Sequence, residues 1–170
     1  PPPPASPFPI LTGPDRGQKM IAFALVLALN SIVFSSISAH VLPIFEGLGY
    51  DAAMAVTLAA LIGPAQVASR VGDIMAGHYV KTMTLGLIAV GLLPAALIAF
   101  ASGGFTLWAA LVFALLYGMS NGLMSIIKGI IPLSLFGHQG YGLVVGTLTT
   151  PELFLNSIAP TLFAVVLDQV

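Results

Sequence analysis

Residues 20–39, MIAFALVLALNSIVFSSISA, carry no ionisable side chain. Their length matches the roughly 20 residues that a helix needs to cross the hydrocarbon core of a bilayer. The pattern recurs along the chain. Polar interruptions delimit five candidate spans, at 20–39, 53–75, 82–101, 105–127 and 142–167. Charged side chains make up only 6% of the 170 residues, against about a quarter in an ordinary soluble domain. Six acidic and five basic residues cannot clothe a water-soluble core of this size, so the expected solvent is lipid. Stretches such as MIAFALVLAL and LWAALVFALLYG are continuously apolar, whereas a barrel strand alternates apolar and polar positions. The predicted fold is all-α, a polytopic membrane helix bundle.

The opening PPPPASPFPILTGPDRG cannot form a regular helix and reads as a linker on the polar side. Residues 1–19 are therefore expected to be a Pro-rich cytoplasmic linker and 20–170 a partial transmembrane bundle, with the chain being part of a longer one. The first apolar run is too long for the core of a signal peptide and is followed by no clear cleavage pattern. Without cysteine there is neither a disulfide framework nor a thiolate metal site.

Charge placement predicts an orientation. Arg16 and Lys19 precede the first span, Arg70 and Lys81 bracket the turn between the second and third, and Lys128 follows the fourth. Alternate threading puts all five on one side and Glu46, Asp51 and Asp168 on the other. The bias of lysine and arginine toward short inner loops makes the first side cytoplasmic, with the amino terminus inside a multi-pass protein of the cell membrane. Trp108, Tyr50 and Tyr141 fall near predicted span ends, where amphipathic rings favour the headgroup zone.

Polar residues inside the spans are few. Asn30, Gln66, Asn121 and Asn156 are the candidates for lining a solute path, because a buried amide brings more hydrogen-bonding capacity to be met than a hydroxyl does; bonding between helices is the plainer reading of each. Gly118 with Gly122, and Gly142 with Gly146, have the spacing that allows close helix contact. Pro64, Pro94, Pro132, Pro151 and Pro160 each remove a backbone donor, so the carbonyls they free need other partners.

Glu152 carries the sharpest expectation. If the fifth helix starts near Tyr141, its carboxyl lies deep in the membrane, where it must be paired, hydrated or protonated; it would then be the proton-coupling group. If the helix starts at Pro151 instead, Glu152 belongs to a first turn at the interface. A neutral hydrogen-bond partner is a further alternative.

The segments LIGPAQVASRVGD, GLMSIIKGIIPLSLFGHQGYGLVVG and APTLFAVVLD resemble the carboxy-terminal half of bacterial major facilitator superfamily transporters, over nearly all of the chain from Ile21 onward. Members of that superfamily pair two six-helix bundles about a central path. The resemblance implies that the five spans correspond to helices seven to eleven. The missing partners would be an amino-terminal six-helix half and a final helix of the same parent chain. It also implies a cytoplasmic gate at Arg70, Gly72 and Asp73, although the run lacks the repeated arginines of the family.

Other chemistries find no support in the sequence. His40, His78 and His138 lack metal-ligand spacing, no phosphate loop or nucleophile elbow is present, and five scattered basic residues are no nucleic-acid footprint. No cofactor is implied, and no nucleophile and base are paired as an enzyme would need. Two functions are carried forward. One is secondary active transport of a small solute by alternating access, with protons as the candidate coupling ion. The other is a membrane-embedded structural or interaction module without transport activity.

Overall fold

A computed structural model describes residues 14–76, 79–103, 106–138 and 140–167, and among them every regular element is a helix. In chain order these are α1 (Pro14–Gly47), α2 (Ala52–Ala60), α3 (Ile62–Ala76), α4 (Thr82–Ser102), α5 (Leu107–Phe136) and α6 (Tyr141–Leu167). Among the described residues, four stretches are long and apolar enough to cross a membrane: Arg16–Gly47, the α2 and α3 pair over Ala52–Ala76, Thr82–Ser102 and Leu107–Phe136. α6, of 27 residues, is not one of these four.

Three of the expected spans differ in their bounds, and the first differs at both ends: α1 runs to Gly47, eight residues past 39, which places Glu46 in its last turn. α1 starts at Pro14, six residues before position 20, so residues 14–19 are helical rather than linker. A proline in the first helical position has a preset φ and no donor to waste. The rest of the expected linker lies outside the described residues. Second, the span at 53–75 is two helices. Pro64 cannot donate to the carbonyl of Ala60 and its ring crowds that group. α2 accordingly ends at Ala60; the Leu61 N–H turns back to the Leu58 carbonyl at 3.2 Å, and Ala65 resumes the ladder to Leu61 at 3.1 Å.

The third difference is in α5, which continues nine residues past the expected end at 127. Lys128, assigned from sequence to the turn after this span, is thus inside a helix. Arg16 and Lys19 in α1 and Arg70 in α3 are likewise helical, so of the five basic residues Lys81 alone lies outside a helix. α5 stops only where Gly137 adopts a left-handed φ of 77°. Its N–H caps the Leu133 carbonyl at 3.1 Å, the arrangement in which glycine commonly ends a helix.

The chain divides into two compact units, residues 40–127 and residues 1–39 with 128–170. In the first, α1 ends in a glycine-closed turn. The Tyr50 N–H reaches the Phe45 carbonyl at 3.3 Å, the Gly49 N–H reaches Glu46 at 2.9 Å, and Gly49 has φ 90°. The accompanying apolar contact is the edge-to-face packing of Phe45 on Tyr50, 6.5 Å between centroids. Phe45, fully buried, also meets Phe100 and Phe113 edge-on, and Phe113 stacks on Tyr117. Such pairs contribute about 0.5–1.5 kcal/mol each beyond their buried area. Asp51 caps α2 by accepting from the Met54 N–H at 2.7 Å.

The contact of α5 with α3 in this unit is set by small residues. A Cβ on Gly118 would stand 2.5 Å from the Ile62 carbonyl oxygen and 2.8 Å from the Ala65 Cβ, and one on Gly122 would stand 2.5 Å from the Gln66 carbonyl oxygen. Gly118 and Gly122 therefore let two backbones meet, as their spacing predicts. Gly142 and Gly146 share that spacing but have open space where a Cβ would go. Ser120, fully buried, joins α5 to α4 by donating to the Ala89 carbonyl at 2.7 Å.

These environments predict opposite outcomes for one substitution. Gly118→Ala should destabilise the purified protein by about 1–3 kcal/mol through overpacking against a backbone. Gly146→Ala should be neutral or stabilising, because alanine is the better helix former. Thermal unfolding of the two variants in detergent checks the ordering.

Candidate functional site

The second unit is built from the first part of α1, the last part of α5 and α6. Its chemistry centres on Glu152, which is 7% exposed. α6 begins at Tyr141 and passes through Pro151 without a break, so Glu152 is in the helix interior and not in a first turn. The partner of its carboxylate is a cation, not the neutral group considered from sequence: Lys128 Nζ donates to Glu152 Oε1. Among the described residues this is the ion pair that the structure contains. The lysine side chain is half-buried, at 35% exposure, and the carboxylate is the deeper member at 10%.

Folding of the α5–α6 hairpin explains why these two meet. The turn starts at Gly137 and its second left-handed glycine is Gly140, φ 67°. A hairpin folded about that turn brings Lys128 level with a position one helical turn from Glu152. The Tyr141 hydroxyl donates to the Gly129 carbonyl at 3.0 Å and ties the start of α6 to the residue following Lys128. Two opposite charges then share a low-dielectric setting where each would be costly alone.

On its other side α6 is bound to α1 by hydroxyls. Ser31 Oγ lies 2.9 Å from the Ala28 carbonyl oxygen of its own helix and 3.3 Å from the carbonyl oxygen of Glu152. Ser35 donates to Asn156 at 2.8 Å and Ser36 to Ala159 at 3.3 Å. Donors and acceptors advance together along the chain, so α1 and α6 run parallel here. The Asn156 carbonyl is the one that Pro160, four residues later, cannot satisfy. The Ser35 hydroxyl replaces the missing backbone donor, the local compensation that a proline in a membrane helix requires.

A cleft of about 480 Å³ opens beside this bond, lined by Phe34, Ser35, Ser38, Ala39, Asn156 and Pro160. It contains hydroxyl, amide and aromatic surface and no charged side chain. The four amides expected along a solute path are divided between the units. Asn156 is exposed at the cleft and Asn30 is buried on α1 next to Ser31, while Gln66 and Asn121 belong to residues 40–127 and are half-buried there. The expected gate residues Arg70, Gly72 and Asp73 all lie inside α3 rather than in a loop. Arg70 is exposed, Asp73 is half-buried, and no ion pair joins them among the described residues.

Lys128 is the residue of this site that sequence reasoning missed. The signal was present: SIIKGIIPLSLFG is apolar on both sides of the lysine and ends in a helix-stopping glycine, which argues for a charge within a helix.

No protein-family model, curated protein or solved structure matches the chain. The resemblance to major facilitator superfamily transporters rests on the quoted segments alone.

Removing one charge should be asymmetric. Lys128→Met strands the buried carboxylate and should cost about 3–5 kcal/mol. Glu152→Gln should cost less, because the half-buried ammonium can swing toward water on its flexible stem. Unfolding free energies of both variants, measured in the same detergent, test this order.

Proposed function

We propose that this chain is the membrane-embedded part of a secondary active transporter that moves a small solute by alternating access, acting within a longer chain. The observation that carries the proposal is the Lys128–Glu152 pair inside two helices of an otherwise apolar bundle. Intramembrane charges are costly and are a recurrent feature of ion and solute pathways. A pair that opens and closes also offers what a transporter needs, a bistable contact whose two states differ in charge arrangement.

In this reading α6 is the fifth crossing, with its polar face turned to protein and α2 and α3 together forming one span. The parallel course of α1 and α6 supports it, because two odd-numbered crossings of an alternating thread run the same way. Arg16, Lys19, Arg70 and Lys81 then lie on the cytoplasmic side of the cell membrane, opposite Glu46 and Asp51. Glu152 is the proton-coupling carboxyl, Asn30, Gln66, Asn121 and Asn156 contribute to the solute path, and Arg70, Gly72 and Asp73 form the inner gate. Following the resemblance, the second bundle against which this one rocks belongs to the same parent chain.

The hydroxyl ladder from α1 to α6 favours a second reading, in which the same contacts only clamp a structural module. Proton flux separates the two. Full-length protein is reconstituted in vesicles loaded with a pH-sensitive dye and exposed to a panel of small sugars, amino acids and organic acids. Transport predicts that at least one solute changes the internal pH, that Glu152→Gln abolishes this by tenfold or more, on the order of one lost proton-transfer group, and that Glu46→Gln, at an exposed position in the last turn of α1, leaves it intact. Silence across the panel, or undiminished flux in Glu152→Gln, favours the clamp.

A further inference from the structure

The beginning of α1 and the middle of α6 enclose an apolar groove of about 420 Å³, lined by Gly17, Met20, Ile21, Ala24, Leu25, Leu148 and Pro151, with Thr147 at its side. The α1 residues recur at three- and four-residue intervals and so form one face of the helix. They extend about 12 Å along the axis from Gly17 to Leu25. Gly17 and Ala24 supply the depth, because neither side chain fills the space that a larger residue would occupy. Ile21 and Leu25 are more than half exposed along the wall.

One charge stands at the mouth. Arg16 precedes Gly17 and lies one turn before Met20, with its guanidinium 5.8 Å from the centroid of the Phe136 ring at the end of α5. The ring holds the guanidinium by a cation–π contact, which neutralises none of its charge. No acidic group pairs with Arg16 among the described residues. This contrasts with Lys128, whose charge is met by Glu152. The groove thus has an apolar floor along α1 and, beside the Gly17 end of that floor, a cation held on the Phe136 ring that no acidic group pairs among the described residues.

We propose that the groove is a binding site for an anionic phospholipid, with one acyl chain along Gly17, Ile21, Ala24 and Leu25 and the headgroup phosphate on Arg16. The chemistry of the ligand follows from the two ends of the site. The floor offers no polar partner to a peptide backbone, which would strand its amides there, whereas an acyl chain asks for none. The cation at the mouth selects a net negative headgroup over a zwitterionic one, and guanidinium geometry suits the two oxygens of a phosphate diester. Basic pockets between helices near the cytoplasmic face are a general setting for such lipids. Lys19 is a built-in control: it is exposed and projects roughly 170° round α1 from the centre of the groove, so it contributes to surface potential without reaching the site.

Native mass spectrometry of the full-length protein tests this, after release from vesicles of equal phosphatidylglycerol and phosphatidylcholine. One phosphatidylglycerol should remain per chain, in preference to phosphatidylcholine by about fivefold or more, the ratio that one basic contact near a membrane surface supplies. Arg16→Gln should remove the preference, Ala24→Phe should remove retention of either lipid by filling the groove, and Lys19→Gln should leave the wild-type pattern. Equal retention of both lipids by the wild-type protein would overturn the proposal. So would persistence of the adduct in Ala24→Phe, a Lys19→Gln effect as large as that of Arg16→Gln, or a dimer of this chain in place of the lipid adduct. If Ala24→Phe does not fold, Ala24→Leu narrows the same floor with a smaller side chain and decides the point.

Discussion

An ionised carboxylate cannot lie alone in a hydrocarbon setting, and the arrangement of α5 and α6 follows from that constraint. Glu152 sits 11 residues into α6, counted from Tyr141, beyond the reach of the water that meets a helix end. Its charge is met by Lys128, and the lysine is in position because α5 continues through it to Gly137 instead of ending in a loop. The tight glycine-closed turn sets the register of the hairpin, and the Tyr141 hydroxyl on Gly129 holds it. Removing Lys128 leaves the buried carboxylate with the full cost of desolvation, so the pair couples helix length, turn position and hairpin register to one electrostatic condition.

Prolines impose a second condition, and the helices meet it in two ways. At Pro64, which has no N–H to offer the Ala60 carbonyl, the helix is interrupted between α2 and α3. At Pro160 the freed Asn156 carbonyl is taken by Ser35 of α1, and α6 continues. Hydroxyl bonds between membrane helices average about 0.6 kcal/mol, so the seam from Ser31 to Ser36 holds α6 against α1 without locking it. A strong ion pair on one side and a weak hydroxyl seam on the other are compatible with a helix that changes partners during a transport cycle.

Much of the helical layout was legible in the sequence because lipid imposes a simple rule of length and polarity. The expected third and fifth spans differ from α4 and α6 by a single residue at their described ends. What was not legible depended on partners distant in sequence. Pro151 is by itself better suited to start a helix than to sit inside one, and the anchoring of Tyr141 and the pairing of Glu152 accompany the longer helix that is found. Lys128 looked like a loop charge because its counter-ion lies 24 residues away. Gly118 and Gly142 open identical four-residue patterns, yet only the first has another backbone against it and the second has open space, since spacing describes one helix and contact needs two. For Asn30, Gln66, Asn121 and Asn156 the residue type suggests a polar path, but the rotation of each helix decides what it faces.

The central claim is that Lys128 and Glu152 are in direct contact within the bilayer. Solid-state NMR can measure the dipolar coupling between Lys128 Nζ and the Glu152 carboxyl carbon in protein reconstituted in lipid. A contact ion pair requires a separation of no more than about 4 Å, and a strong coupling at that distance is the predicted result. A Lys128 ammonium with no detectable coupling to Glu152 would contradict the account, because the carboxylate would then have to be sustained inside α6 by some other group.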